Sequence, residues 1–424
     1  MTTLRQLRQG LKDGLYTSDL EKIYGDDAQR QAQRLLGIAE VFAQDFTGVQ
    51  VGVFSSPGRS EVSGNHTDHN RGKVLAASIN LDVLAVAAKR ADGRILVHSA
   101  GYRPNDVNTA VLAPVPGEAG HSSAMIRGIC AGVAKRGYKV GGFEVATASD
   151  VLGGSGLSSS AAFAVLVGTI LNDFYNEGRI PPLEIAQIAQ YAENAYVGKP
   201  CGLMDQTACT VGGFVTIDFE DTARPVIQKV DFDFAACGHA LCVVNTGGSH
   251  ADLTEDYAAV RGEMESVARA LGHEVLRETD LEAVLADVHR IRSICGDRAL
   301  LRALHFFAEN GRVDAQAAAL GRGDFGAFLA LVKESGRSSF MYNQNVYNGR
   351  PAQEQPVSLA LALSETILGG RGAWRVHGGG FAGTIQAFVP FDMLDEYRAA
   401  MEEVFGAGAC YVLKVRSFGA VRVL

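Results

Sequence analysis

The stretch Gly153-Gly154-Ser155-Gly156-Leu157-Ser158-Ser159-Ser160 places glycines and serines directly ahead of an apolar run from Ala161 to Leu171. Glycine lets the backbone come close to a ligand and adopt conformations closed to other residues. The apolar run predicts a buried helix. A glycine-rich turn feeding a helix start aims several N–H groups at one point, and the helix dipole favours an anion there. The chemistry this suggests is phosphate binding, with a serine-capped tight turn as the competing reading. No Gly-Lys-Ser/Thr follows the glycines. The stretch is therefore not a P-loop, and that motif fixes no lysine beside the phosphates.

Three further segments carry side chains suited to chemistry. Ser56-Pro57-Gly58-Arg59 and Gly64-Asn65-His66-Thr67-Asp68-His69-Asn70 are expected in a loop just after a strand. Arg59 supplies a permanent cation, and His66 and Asp68 offer groups that bind hydroxyls. Turn chemistry explains the same residues, and so would a metal site from His66, Asp68 and His69, although no clear further ligand is visible. Pro200-Cys201-Gly202-Leu203-Met204-Asp205-Gln206 sets an acid in apolar surroundings, where unpaired acids are rare. An acid at a helix start reads the same way. No base stands beside Cys201, so it is not read as a nucleophile. Val376-His377-Gly378-Gly379-Gly380-Phe381-Ala382-Gly383 is a second glycine turn, and with the first it suggests two backbone loops meeting around one ligand.

These four segments, in this order, resemble the kinase family that includes galactokinase, homoserine kinase, mevalonate kinase and phosphomevalonate kinase. Pro57-Gly58-Arg59 with His66-Thr67-Asp68, and Cys201-Gly202-Leu203-Met204-Asp205-Gln206, are similar to the galactokinase branch, whose signature reads PGRxNLxGEHTDY. The resemblance runs from about Val51 to the C-terminus. It implies an α+β fold of two lobes, an N-terminal α/β lobe and a ferredoxin-like C-terminal lobe, with the site between them. It implies an ATP-dependent sugar-1-kinase that phosphorylates the C1 hydroxyl of galactose.

By the same resemblance, Gly154, Ser155, Gly156, Leu157, Ser158, Ser159 and Ser160 would hold the ATP phosphates, and Ser99 would contact the nucleotide. Ser160 and Glu193 would bind Mg²⁺. Asp205 would face the reacting hydroxyl with Arg59 beside it. Asn65, His66, Thr67, Asp68, Gly202 and Tyr257 would line the sugar. Tyr257 lies in Glu255-Asp256-Tyr257-Ala258-Ala259-Val260-Arg261, similar to the SEYNxR segment of galactokinases; its residue pattern alone reads as an interior aromatic on an amphipathic helix.

The chain departs from the family pattern within this signature, His69 also standing where the family has tyrosine. The glutamate before the histidine is Asn65 here, and the asparagine two after the arginine is Glu61. In galactokinases that glutamate contacts the sugar near its C6 hydroxyl. The substrate is therefore expected to be galactose with altered C6 recognition, or a related sugar such as galacturonate or a C6-modified galactose. A galactokinase-like sensor without strong turnover is the non-enzyme alternative. Retention of Ser158, Ser159, Ser160, Glu193, Arg59 and Asp205 favours the enzyme.

The elements that must position these residues follow from patterning. Residues 1–48 read as helices laid on the main body, 49–220 as the N-terminal lobe and 221–424 as the C-terminal lobe, two lobes being the default at this length. Strands are expected at Val49–Ser55, Lys73–Lys89, Arg94–Ser99, Gly142–Ser149, Gly212–Phe219 and Ala240–Asn245, and a helix at Ile185–Val197. Later helices are expected at Thr254–Leu271, Leu281–Ile294, Ala299–Glu309, Val313–Leu331 and Ser358–Leu368. The net charge of −8 argues against a nucleic-acid partner. The apolar run from Ala161 is too short to span a bilayer, which argues against a membrane. Seven scattered cysteines with no CxxC pair fit reduced thiols in a cytoplasm. A dinucleotide oxidoreductase is disfavoured because the glycines lack GxGxxG spacing.

Overall fold

The computed structural model describes residues 2–151, 156–199, 201–248, 254–347, 349 and 352–424. Among these residues two sheets form, one of nine strands and one of four. The large sheet is organised on Lys73–Arg90, whose near-continuous apolar sequence suits a strand buried on both faces. Its first half pairs with Phe214–Asp218, and its second half pairs with Gly142–Ser149. Gln50–Ser63 runs antiparallel along its other edge. Alternation then sorts the side chains. Leu84, Val86 and Ala88 face the N-terminal helices, meeting Leu35, Ala39 and Phe42 of Ala28–Asp45. Val83, Ala85 and Ala87 face the opposite way, onto Ile126, Ile129, Val165 and Ile170.

The small sheet orders its strands Ala373–His377, Thr384–Pro390, His239–Asn245 and Cys410–Leu413, all neighbours antiparallel. With helices between the first and second strands in sequence and again before the last, this is the ferredoxin-like β-α-β-β-α-β arrangement. Val62, Leu75 and Phe214 of the large sheet share one apolar cluster with Leu241, Val243 and Phe388 of the small sheet. The large sheet also takes in Val226–Val230 and the chain end Val421–Arg422, so its strands come from both sides of residue 220.

Several local expectations change, the expected Leu281–Ile294 helix dividing at Asp287 and Val313–Leu331 at Arg322–Asp324. Ser56–Arg59 lies inside the Gln50–Ser63 strand rather than in a loop, with a register shift between Pro57 and Arg59. An irregularity of this kind lets proline sit in a sheet, because the ladder there asks for no N–H. Asp297–Gly321 is one helix of 25 residues, continuous through Asn310-Gly311 where two helices were expected to meet. Burial of Ala303, Phe306, Val313 and Leu320 outweighs the cost of one glycine, about 1 kcal/mol. Ser122–Lys135 forms a helix that its glycines obscured. A Cβ at Gly128 would meet Ala192 Cβ at 2.8 Å, so the glycine allows the Pro182–Ala192 helix to approach closely.

The N-terminal helices are fastened by one acid. Asp82, fully buried, accepts from Tyr24 Oη at 2.6 Å, Arg34 Nη1 at 2.6 Å and Arg416 Nη1 at 3.2 Å, and it also contacts Ser55 Oγ. Burial pushes its carboxyl up, but Arg34 and Arg416 more than reverse this and hold it below the ordinary value. Replacing Asp82 by Ala leaves two cations facing a buried void. We expect a stability loss of about 3–5 kcal/mol in denaturant unfolding, the range for breaking one side of a buried pair. A change near zero would show that the cluster contributes nothing net.

Candidate active site

Arg59 reaches the site from the Gln50–Ser63 strand, and Asp205 from the first turn of Met204–Val211. The helix start favours a carboxylate. Arg59 Nε donates to Asp205 Oδ1 at 2.7 Å, and the other carboxylate oxygen accepts from Ser158 Oγ. Arg59 also donates from its backbone N–H to Leu157 O at 3.1 Å and from Nη1 to Gly156 O. One arginine therefore ties the acid to the serine-rich turn. A Cβ at Gly58 would lie 2.8 Å from Leu157 O, so this approach needs glycine at that position. Ser158 sits in the left-handed region with φ 63°, which swings its hydroxyl to the acid at the start of Ser159–Asn176.

Burial pushes the Asp205 carboxyl up, yet the Arg59 charge and the hydrogen bonds from Arg59 and Ser158 leave it below the ordinary carboxylate value. Its side chain keeps 31% of its exposure, and that exposure opens into a cleft of about 660 Å³. His66, Asp68, Gly202, Tyr257 and Gly379 line the same cleft. A second cavity of about 370 Å³ adjoins it, lined by Ser99, Tyr102, Asn105, Thr147, Phe163 and Glu193. Ser159, Ser160 and Lys199 line both. This geometry suits a reacting hydroxyl beside Asp205 and a polyphosphate crossing from one cavity into the other.

The remaining predicted residues fall into distinct groups. His66 has φ 59°, and its Nε2 lies 2.8 Å from Gly379 O. Burial pulls its pKa down to about 4, so the ring is neutral, Nε2–H donates, and Nδ1 is left as an acceptor. A Cβ at Gly202 would collide with Asp68 Oδ2, and one at Gly379 with the Tyr257 ring. Both glycines thus let polar groups crowd the cleft. Tyr257 Oη donates to Gly380 O at 2.8 Å. Ser99 Oγ accepts from Thr147 Oγ1 at 2.8 Å in the second cavity. Leu157 is buried and takes part through its carbonyl. Thr67 is buried, with its hydroxyl donating to Gly64 O and Lys73 O inside its own turn. Gly154 and Ser155 lie outside the described residues.

Asn65 is fully buried, and its amide is engaged by protein on every side. Its Nδ2 donates to Glu61 Oε1 at 2.8 Å and Gly378 O at 2.7 Å, and its Oδ1 accepts from Asn345 Nδ2 at 2.7 Å. These two departures from the family pattern are thus direct partners. The acid and the amide have exchanged places within one hydrogen-bonded pair, and Arg375 Nη2 stands 3.3 Å from Glu61.

Comparison with known proteins identifies the family. The family model for the galactokinase galactose-binding signature matches residues 40–89, and that for the N-terminal domain of GHMP kinases matches residues 124–213. A galactokinase of Streptomyces coelicolor is 32% identical over 375 residues, which is 87% of this chain and 92% of that protein. The chain belongs to the galactokinase family.

Among solved structures, the Lactococcus lactis galactokinase complexed with galactose matches with a TM-score of 0.77 at 24% identity, over 92% of this chain and 100% of that one. The Methanococcus jannaschii mevalonate kinase matches at 0.61 and 13% identity, over 86% and 98%. These likenesses show the two-lobed fold of the galactokinase and mevalonate kinase family.

Within that family, Glu193 and Ser160 are the residues to weigh as a magnesium site. Glu193 Oε1 accepts from Ser160 Oγ at 2.8 Å, on a π-helical turn, Glu193–Val197, at the end of Pro182–Ala192. Among the described residues no cluster of three or more His, Cys, Asp and Glu side chains forms. One carboxylate and one hydroxyl suit a Mg²⁺ that takes its other ligands from phosphates and water. Cys201 lies 3.4 Å from Glu193 Oε2, and burial and that acid push its thiol up to about 12. It is therefore a protonated thiol and no nucleophile.

Sequence reasoning missed Lys199, Asn105 and Tyr102, which sit in turns or short elements with no pattern to mark them. It also missed the support of the His66 turn. Glu309 there accepts from Gly64 N at 3.0 Å, and His305 Nε2 lies 2.9 Å from Asn65 O.

The electrostatics predict a signed pH effect. Removing the Arg59 charge takes away the largest influence that opposes burial, so Arg59→Gln raises the Asp205 pKa. The acid limb of kcat/KM, set by ionisation of the free enzyme, moves to higher pH in this variant relative to wild type. A limb that does not move would show that Arg59 does not govern this carboxyl.

Proposed function

We propose that this protein transfers the γ-phosphoryl group of ATP to the C1 hydroxyl of galactose, with Asp205 receiving the hydroxyl proton. The C1 oxygen bonds to the γ-phosphorus, the bond from that phosphorus to the β–γ bridging oxygen breaks, and ADP leaves. The observation that carries this reading is the Asp205–Arg59 pair in a cleft that meets a second cavity at Ser159 and Ser160, the first suited to a sugar and the second to a nucleotide. Phosphoryl transfer asks for alignment and charge neutralisation more than for covalent help. A carboxyl held this acidic is a weak base. Its main work is to orient the hydroxyl, taking the proton as the oxygen commits to phosphorus. Arg59 stabilises charge at the same point. Mg²⁺, held by Glu193 and Ser160 against the phosphates, would supply Lewis-acid charge neutralisation there.

The sugar face favours a neutral C6 group. Asn65 has no amide hydrogen left to offer a C6 carboxylate. Galacturonate is therefore disfavoured relative to galactose. The galactokinase from Streptomyces coelicolor and the galactose-complexed structure from Lactococcus lactis support the same assignment. The proposal includes a cytoplasmic location, in keeping with seven free cysteines. Among the described residues no helix is long and apolar enough to cross a membrane. It also divides the chain at residues 48 and 220, with Val226–Val230 and Val421–Arg422 added to the first lobe's sheet.

Coupled ADP release at fixed ATP tests the reading. Galactose is expected to give a kcat/KM at least ~10²-fold above galacturonate, since leaving a charged group unpaired in a desolvated site costs about 3 kcal/mol or more; the reverse order contradicts it. In the same assay Asp205→Asn is expected to lose about 10²–10⁴ in turnover while still binding ATP.

A further inference from the structure

The glycine–serine turn brings no motif lysine to the phosphates, yet the fold brings one from elsewhere. Lys199 follows the π-helical turn that carries Glu193. Its backbone is fixed there, with Lys199 N–H donating to Glu193 O at 3.1 Å and Gly198 in the left-handed region at φ 83°. Its side chain is 66% exposed, and its Nζ lies 3.9 Å from Glu193 Oε1. Ser159, Ser160 and Lys199 are shared by the nucleotide cavity and the sugar cleft. Among the described residues Lys199 is the one titratable side chain in both linings. A triphosphate reaching from the first cavity to a hydroxyl at Asp205 must pass this join. The positive charge of Lys199 also acts on Asp205, lowering its carboxyl after the larger effects of burial, Arg59 and Ser158.

We propose that Lys199 is a further catalytic residue, donating from its ammonium group to the phosphate oxygens between the β and γ positions as the phosphoryl group moves. In this role no covalent bond to Lys199 forms or breaks. It neutralises charge that grows on the bridging oxygen as ADP departs, opposite the side where Arg59 and Asp205 hold the hydroxyl. The long flexible stem suits a point charge that follows a moving group. In the absence of nucleotide, Glu193 is its resting partner. The bland alternative is a solvated lysine whose loose pairing with Glu193 does nothing for the reaction, since exposed pairs of this kind contribute little.

The inference rests on the kinase reading, and the test separates the two. Lys199→Gln and Lys199→Arg are compared with wild type for steady-state turnover with ATP and galactose, for galactose affinity by calorimetry, and for thermal unfolding. We expect Lys199→Gln to lower kcat about 10²-fold, the scale of removing one transition-state donor. Lys199→Arg should recover most of that loss. Galactose affinity and unfolding temperature should match wild type in both, which a merely structural residue would not combine with a kcat loss. Turnover of Lys199→Gln within about twofold of wild type overturns the lysine's role while leaving the kinase reading intact. So does an equal loss in both variants. A wild-type protein that releases no ADP overturns both.

Discussion

The contact on which this structure depends is the one between Arg59 and Asp205. A buried guanidinium is costly unless its donors are met. Here Nε is met by a carboxylate from one helix and Nη1 by the Gly156 carbonyl of the turn that opens another. The acid is in turn held by a hydroxyl from that same turn. The acid, the cation and the serine-rich turn are thus set by one network. That coupling is what a reaction governed by alignment requires.

Much of the site was legible in sequence because its residues must be of particular types at short spacing. The turn from Gly156 to Ser160, the His66–Asp68 run and the acid at 205 all announce themselves in that way. Other features were visible singly but not in relation. Glu61 and Asn65 each read as an isolated departure, and only the fold shows that they are hydrogen-bonded partners that have traded places. Lys199 carries no local signal, because its meaning lies in which two cavities it lines.

The fold shows the same division. Period-2 and helical patterning gave the sheets and most helices, since alternation is a local property. The continuous helix Asp297–Gly321 was hidden because its glycine cost is met by packing that sequence cannot see. The Asp82 cluster was hidden for a stronger reason. Its partners Arg34 and Arg416 lie 48 and 334 residues away in the chain. Through that one acid the N-terminal helices and the C-terminal tail are secured on the same strand that lines the second cavity at Val83.

The most direct measurement is a crystal structure of the protein with galactose and a non-hydrolysable ATP analogue bound together. The account predicts the sugar C1 oxygen within hydrogen-bond reach of Asp205 and in line with the γ-phosphorus, the phosphates crossing beneath Ser159 and Ser160. A sugar seated with C1 turned away from Asp205, or a triphosphate that does not pass the join of the two cavities, would contradict it.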